Sequence, residues 1–256
     1  WSIPFARPSL TPCHSSTLYK IMKTYILTDL TRFKKGNPNV CVAVIDPQTG
    51  QCLRPMPYLT VDACAKLNIQ PGAKIVGEIT LKRNNSKPHV EDASYGELKF
   101  GGPTTANEFR EVLEMTLSPS VSEGFGVSFD EKQKHIPEET PVEKSILTIK
   151  VQPSQVRILE DQFSPCKIKL SFSDSSGQHF QYLPITDRGF YDFAEKHKDD
   201  AELSRVQSLI SGQTEVYLRI GLSRGYEAPD GRKGCWLQVN GIYSFPEYPK
   251  EIRQYE

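Results

Sequence analysis

One hairpin pattern occurs twice in this chain, and it limits the possible folds more than any other feature. Residues 41–57 read CVAVIDPQTGQCLRPMP and residues 169–185 read KLSFSDSSGQHFQYLPI, so each has an Asp-led turn ending in Gly-Gln between two strand-like runs. Runs of this kind around such a turn predict a pair of antiparallel strands. Residues 73–83 and 214–224 form a second similar pair, in which a Gly interrupts a strand pattern. The same order of elements in both halves predicts a degenerate duplication of one β-unit.

Other strands and a few short helices fit around these hairpins. Small and β-branched residues at 40–45 suit a strand that is buried on both faces. The stretch 216–245 has two apolar runs around a loop rich in Gly, Pro, Asp and Arg, which predicts strand–loop–strand. Thr60 can cap a short helix. Apolar residues at helical spacing predict a helix over 107–117 and one or two helices over 188–210.

The chain is therefore predicted to be mainly β with short helices (α+β), as two small β-barrels with a partly helical, acidic connector. Nine acidic and four basic residues between 107 and 144 give this connector a net charge of −5. Residues 1–21 have no periodicity and are interpreted as disordered or upstream of a true start at Met22, with a transit peptide as the alternative. The predicted units are the extension 1–21, the first barrel 22–101, the helix and connector 102–145, the second barrel with a helical insertion 146–248, and a tail 249–256.

The composition argues against several classes of protein. The 31 basic and 31 acidic residues give a net charge of zero, which argues against DNA binding driven by bulk charge but allows a local basic groove. No run approaches the ~18 apolar residues that a membrane helix needs. The six cysteines are scattered without a CxxC pair, which predicts reduced thiols in a cytoplasmic protein and no zinc site.

The sequence has no convincing set of catalytic residues. A P-loop, a GxSxG elbow and a dinucleotide-binding fingerprint are all missing from it. His89, Glu91 and Asp92 are the one compact cluster of acid–base residues, but three residues in one short run do not supply an oriented nucleophile or a complete ligand set. We therefore predict a protein that is not an enzyme and has no catalytic residues, metal or cofactor.

Three segments together resemble a known family. They are ILTDLTRFKKGNPNVCVAVIDPQTGQCLRP near the start, PHVED at 88–92, and LRIGLSR with CWLQVNGIYSFPEY near the end. As a set they resemble the bacterial dual OB-containing domain family, over residues 22–248. The resemblance implies two tandem OB-like barrels and a role in nucleic-acid binding, often alongside genome-defence systems.

The candidate nucleic-acid contacts combine cations for phosphates, aromatic rings for bases and amides for base edges. For Arg32, Lys34 and Lys35 the alternative is a solvated turn. For Arg54 it is a salt bridge, and for Trp236 it is a place in the core. The first barrel offers Arg32, Phe33, Lys34, Lys35 and Arg54, and the second offers Arg219, Arg224, Trp236, Gln238 and Asn240.

Two functions fit these observations. The first is a non-enzymatic protein whose two barrels hold single-stranded or structured DNA or RNA. The second is a protein-interaction or scaffold module of a multi-component, defence-type system, which binds a partner through exposed strand edges. The acidic connector suggests in addition that it folds over a basic face and competes with nucleic acid.

Overall fold

The computed structural model describes residues 22–34, 36–161, 167–197 and 201–253. The extension 1–21 and the candidate contact Lys35 lie outside the described residues. Across those ranges, no helix is both long and apolar enough to cross a membrane.

The first half of the chain closes into a five-stranded barrel. Its strands pair in the order β1, β2, β3, β6, β5 and back to β1, and only the β3–β6 pairing is parallel. This order is that of an OB barrel, with a helix between its third and fourth strands. The elements are β1 (Lys23–Arg32), β2 (Asn39–Ile45), β3 (Cys52–Met56), the short β4 (Leu59–Thr60), α1 (Val61–Lys66), β5 (Ala73–Leu81) and β6 (Asp92–Pro103).

The second half has the same order of strands in a more open form. Its elements are α2 (Ala106–Met115), α3 (Val121–Phe125), β7 (His135–Pro137), β8 (Ile146–Val151), β9 (Arg157–Glu160), β10 (Ile168–Ser173), β11 (His179–Pro184), α4 (Arg188–Lys196), α5 (Glu202–Ser211), β12 (Glu215–Leu222), β13 (Tyr226–Glu227) and β14 (Lys233–Phe245). A 3₁₀ turn at Pro153–Gln155 divides the first strand of this barrel into β8 and β9. One sheet is β9–β10–β11, the other is β8–β12–β14, and a parallel bridge between Ile185 and Val239 connects them. The prediction of two OB-like barrels is confirmed.

The turn chemistry explains why the two hairpins have similar sequences. Asp46 Oδ1 accepts the backbone N–H of Gln48 at 2.9 Å, and Asp174 Oδ1 accepts that of Ser176 at 3.0 Å. Each turn then ends in a glycine with a positive φ, 72° in the first and 84° in the second. That conformation is strained for a residue with a Cβ, so both turns favour the same residue types at the same places.

The acidic connector is part of the second barrel. The acidic residues between 118 and 144 are exposed, while α3 and the loops around it turn apolar side chains into the core of that barrel. Removing residues 118–144 would therefore remove part of the core. The buried connector residues are Val121, Phe125, Phe129, Ile136 and Val142.

A third apolar cluster joins the two barrels. Helix α2 lies between them, and Ile45 from the outer side of β2 belongs to the same cluster as Tyr217 and Tyr243 of the second barrel. The Tyr243 hydroxyl also donates to the backbone carbonyl of Thr28 at 2.5 Å. Five of the six residues 40–45 are buried as predicted and Cys41 is half-buried. The second barrel covers Ile45 on the outer face of β2.

Candidate nucleic-acid interface

Arg219 lies between the two barrels. Its side chain is 1% exposed, and its guanidinium bonds Asp29 of β1 at 2.8–2.9 Å and Thr148 Oγ1 of β8 at 2.9 Å. Removing a charged group from water is costly unless it is paired, so this arginine and its carboxylate are partners in the fold. Burial excludes Arg219 from contact with a phosphate in this structure.

A second ion-pair cluster centres on Asp92. Arg54 Nε of the first barrel bonds its Oδ1 at 2.6 Å, and Arg224 of the second barrel bonds both of its oxygens at 2.9 and 3.0 Å. Burial opposes ionisation of Asp92, but the hydrogen bonds from Arg224 and Arg54 outweigh it and lower the pKa of this carboxyl. Arg54 therefore takes the salt-bridge role that we considered as its alternative.

The remaining members of the acid–base cluster also belong to this joint. Glu91 accepts hydrogen bonds from the backbone N–H and the hydroxyl of Ser145, both at 2.7 Å, and so fixes the start of β8. His89 is buried beside Arg224 and Arg54. Burial and then these two positive charges lower the pKa of His89 to about 4. Glu91 and Asp92 therefore bond residues of the second barrel, and His89 is buried beside them.

These contacts cover the surface on which an OB barrel commonly binds its ligand, the outer side of the second and third strands. In the first barrel those strands are β2 and β3. Ala43 and Ile45 on β2 have no exposed surface, and Arg54 on β3 is 4% exposed. In the second barrel the equivalent strands are β10 and β11, whose outward residues Lys169 and Tyr182 are partly exposed or exposed.

The basic loop after β1 lies beside the second barrel. The backbone N–H of Arg32 donates to the carbonyl of Thr186 at 2.9 Å, and its guanidinium stacks 3.6 Å from the ring centre of Tyr191 in α4. Phe33 packs edge-on against Tyr58 at 4.8 Å, while Lys34 is exposed. The loop is thus fixed at its base and presents cations and an aromatic ring above the second barrel.

Loop and barrel enclose a groove of about 600 Å³, which we call the inter-barrel groove. Four cations line it, two from each barrel, together with one carboxylate. Lys169 also pairs with Asp161 at 3.6 Å, but its side chain keeps 24% exposure. The lining residues are Arg32, Phe33, Lys34, Lys167, Lys169, Pro184, Ile185, Thr186, Tyr191 and Glu195.

Beyond the groove, basic and aromatic residues continue across the second barrel. Lys134 Nζ lies 5.4 Å from the ring centre of Tyr182, which is 53% exposed. Partial burial, and then the nearby charge of Lys169, lower the pKa of Lys134. Like charges held together in this way are favourable sites for an anion.

The three predicted contacts on β14 differ in exposure. Trp236 is half-buried outside the barrel core, stacked on His135 at 5.3 Å with Tyr226 edge-on at 5.4 Å. Gln238 is half-buried and donates to Asn240 Oδ1 at 3.1 Å. Asn240 is 4% exposed, and its Oδ1 also accepts the hydroxyl of Thr186 at 3.1 Å. Asn240 therefore holds β14 in place and has little surface for a base.

A family model for the dual OB-containing domain matches residues 30–242. The chain belongs to the dual OB-containing domain family. The match spans both barrels and the connector between them, in agreement with the strand order.

Similarity of this dual OB chain to characterised proteins is distant. Its sequence has no significant match among curated proteins. Among solved structures, a replication protein A heterotrimer bound to single-stranded DNA aligns with 94% of this chain and 53% of its own at 10% identity and a TM-score of 0.42. The chain thus spans about half the length of that relative. The HINa domain of Ifi202 in complex with double-stranded DNA aligns with 86% and 96% at 9% identity and a TM-score of 0.34.

Sequence reasoning missed half of the groove of this dual OB protein. Lys169 lies in the recognised second hairpin, and strand alternation could have marked it as outward. Tyr191 was assigned to a predicted helix. Beside the groove, Tyr182 lies in the same hairpin as Lys169, and Lys134 was assigned to the acidic connector. Their approach to Arg32 depends on how the barrels pack, for which one sequence has no local pattern.

Proposed function

We propose that this dual OB protein binds single-stranded or structured nucleic acid through the inter-barrel groove, as a binding protein without catalysis. One observation carries the proposal: four cations, two from each barrel, line a single groove that also contains aromatic rings. The predicted arginines Arg54, Arg219 and Arg224 are engaged in ion pairs, whereas the four cations of the groove line a surface that a ligand can enter.

The groove chemistry fits a polynucleotide. Lys34, Lys167 and Lys169 can each contact a phosphate, and Phe33 can stack on a base. Because the net charge of the chain is zero, attraction acts over the groove and not over the whole surface. This favours recognition that depends on the groove's particular lysines.

The test is fluorescence anisotropy of the full chain with labelled single- and double-stranded DNA and RNA at several salt concentrations. We expect Lys34→Glu and Lys169→Glu each to weaken binding about ten-fold and to reduce the salt slope by about 0.7 per lost phosphate contact on a single strand. Lys99→Glu is the matched control, since Lys99 is an exposed lysine on β6 outside the groove lining.

Either of two results would contradict the proposal. One is an absence of binding at low salt. The other is an equal loss of affinity in the two groove variants and the Lys99→Glu control, because this would indicate attraction by general surface charge.

A second function, protein recognition, is favoured by the edge of β6. Its parallel pairing with β3 ends at Ser94, and along the described chain no strand pairs with the same edge from residue 95 to 103. An unpaired edge can accept a partner strand. When a protein partner adds a strand to this edge, we expect amide deuterium exchange to slow at residues 95–103. Slowing of exchange only in other segments would exclude strand addition at β6.

A further inference from the structure

Tyr182 has an unusual backbone conformation for its residue type. Its φ is +53°, in the left-handed region that glycine and asparagine adopt most readily, yet the residue is a large aromatic within strand β11. Its side chain is 53% exposed, so burial of the ring does not compensate for the strain. A residue kept in such a conformation without a packing reason points to a function.

A β-bulge explains how the strand holds this conformation. The β10–β11 register shifts between Leu170 and Phe172, so that Gln181 and Tyr182 together face Ser171. The backbone N–H of Tyr182 loses its ladder partner and donates instead to Ser171 Oγ at 3.0 Å. The bulge thereby redirects the Tyr182 side chain on a strand that is otherwise regular.

The surroundings of the ring specify a ligand. Lys134 Nζ lies 5.4 Å from the ring centre, and the charge of Lys169 acts on the same ammonium group. Lys169 also lines the inter-barrel groove, so positive charge continues from the groove to this ring. On the far side, residue 135 follows Lys134 and stacks on Trp236.

We propose that Tyr182 is a stacking platform for a nucleobase and that Lys134 contacts an adjoining phosphate. A strand bound in the groove then continues over β11 toward Trp236. This inference rests on the proposed function and extends it, since Tyr182 and Lys134 lie outside the groove lining.

Two substitutions at Tyr182 separate a role in binding from a role in the fold. Tyr182→Gly relieves the positive φ, so we expect a higher melting temperature together with a roughly ten-fold loss of affinity. Tyr182→Phe keeps the ring and should bind like the unaltered chain. Phe100→Gly is the control. Phe100 is an aromatic residue of strand β6, is 41% exposed and lies outside the groove. A Tyr182→Gly variant that binds with unchanged affinity would overturn the inference.

Cross-linking separates failure of this inference from failure of the proposed function. Oligonucleotides with a single 5-iodouridine at successive positions are irradiated with the full chain, and the adducts are mapped by mass spectrometry. We expect an adduct at Tyr182 from one position and adducts at Phe33 or Tyr191 from another. Adducts in the groove alone would overturn the stacking role of Tyr182 and leave the groove intact. Loss of salt-dependent binding altogether would overturn both.

Discussion

At the scale of single residues, the carboxylate of Asp92 limits how far two arginines are available to bind another anion. Arg54 and Arg224 come from different barrels, and both bond this one side chain. A carboxylate between two guanidinium groups stays ionised, and each arginine has less freedom to bind another anion. The side chain of Arg224 retains 40% exposure, so it lies at the surface of the joint.

His89 in the same joint gives the fold a pH dependence. Its pKa falls from 6.5 to about 4 in the folded chain, so between these values the unfolded chain binds more protons. Stability supplied by neutral His89 is therefore complete above about pH 6.5 and is lost as the pH falls toward 4, with a limit of about 3 kcal/mol. His89→Gln removes this titration. Urea unfolding of the unaltered chain and of the variant is measured from pH 7 to pH 4, and the unaltered chain should lose more stability. A difference in unfolding free energy between the two that stays constant with pH would contradict this role of His89.

At the scale of elements, the two recognised hairpins have the same inner pattern and different outer patterns. Val42 and Val44 face the first barrel core as Leu170 and Phe172 face the second. The outward residues of β2 are cysteine, alanine and isoleucine, whereas the equivalent residues of β10 are lysine, serine and serine. An apolar outer face is stabilised by burial, whereas a polar one can face solvent. Strand β2 is therefore packed against the second barrel, and β10 borders the groove.

The connector belongs to the same scale. Its acidic residues suggested a flap that competes with nucleic acid, but Phe125 and Ile136 pack in the second barrel core and β7 pairs with β14. Lys134, on this segment, adds positive charge beside the groove. A deletion of residues 118–144 would therefore disturb folding and could not isolate competition with nucleic acid. Single charge substitutions on the surface of the connector are the better experiment.

At the scale of the whole molecule, the two barrels share an interface, and equivalent faces of the two barrels have different roles. The first barrel gives its β2–β3 face to packing, while the second keeps its β10–β11 face open and receives the loop after β1 as one wall of the groove. The buried pair of Arg219 and Asp29 crosses this interface. The geometry of the groove therefore depends on contacts that no ligand touches.

We expect the two barrels to unfold in one transition, and we expect the buried Arg219 to stabilise the folded state. Arg219→Met leaves Asp29 buried and unpaired, which should cost about 3–5 kcal/mol of unfolding free energy. Arg232→Met is the control, because Arg232 and its partner Asp230 are both exposed. Solvent screens such a pair, so this substitution should leave the free energy of unfolding nearly unchanged. Urea unfolding followed by tryptophan fluorescence and by circular dichroism measures both effects. Separate midpoints for the two probes in the unaltered chain would contradict a single cooperative unit.

The sequence by itself determined the repeated hairpins, the short helices and membership of the dual OB family. Turn chemistry, strand alternation and helix caps act between neighbouring residues, and their patterns are visible along the chain. Only the tertiary structure decided which cations remain available. Arg219 and Asp29 are 190 residues apart, and Arg32 reaches Tyr191 through the packing of two barrels. An arginine has the same local pattern whether its partner is a distant carboxylate or a phosphate, so its role depends on what the fold brings within about 4 Å of it.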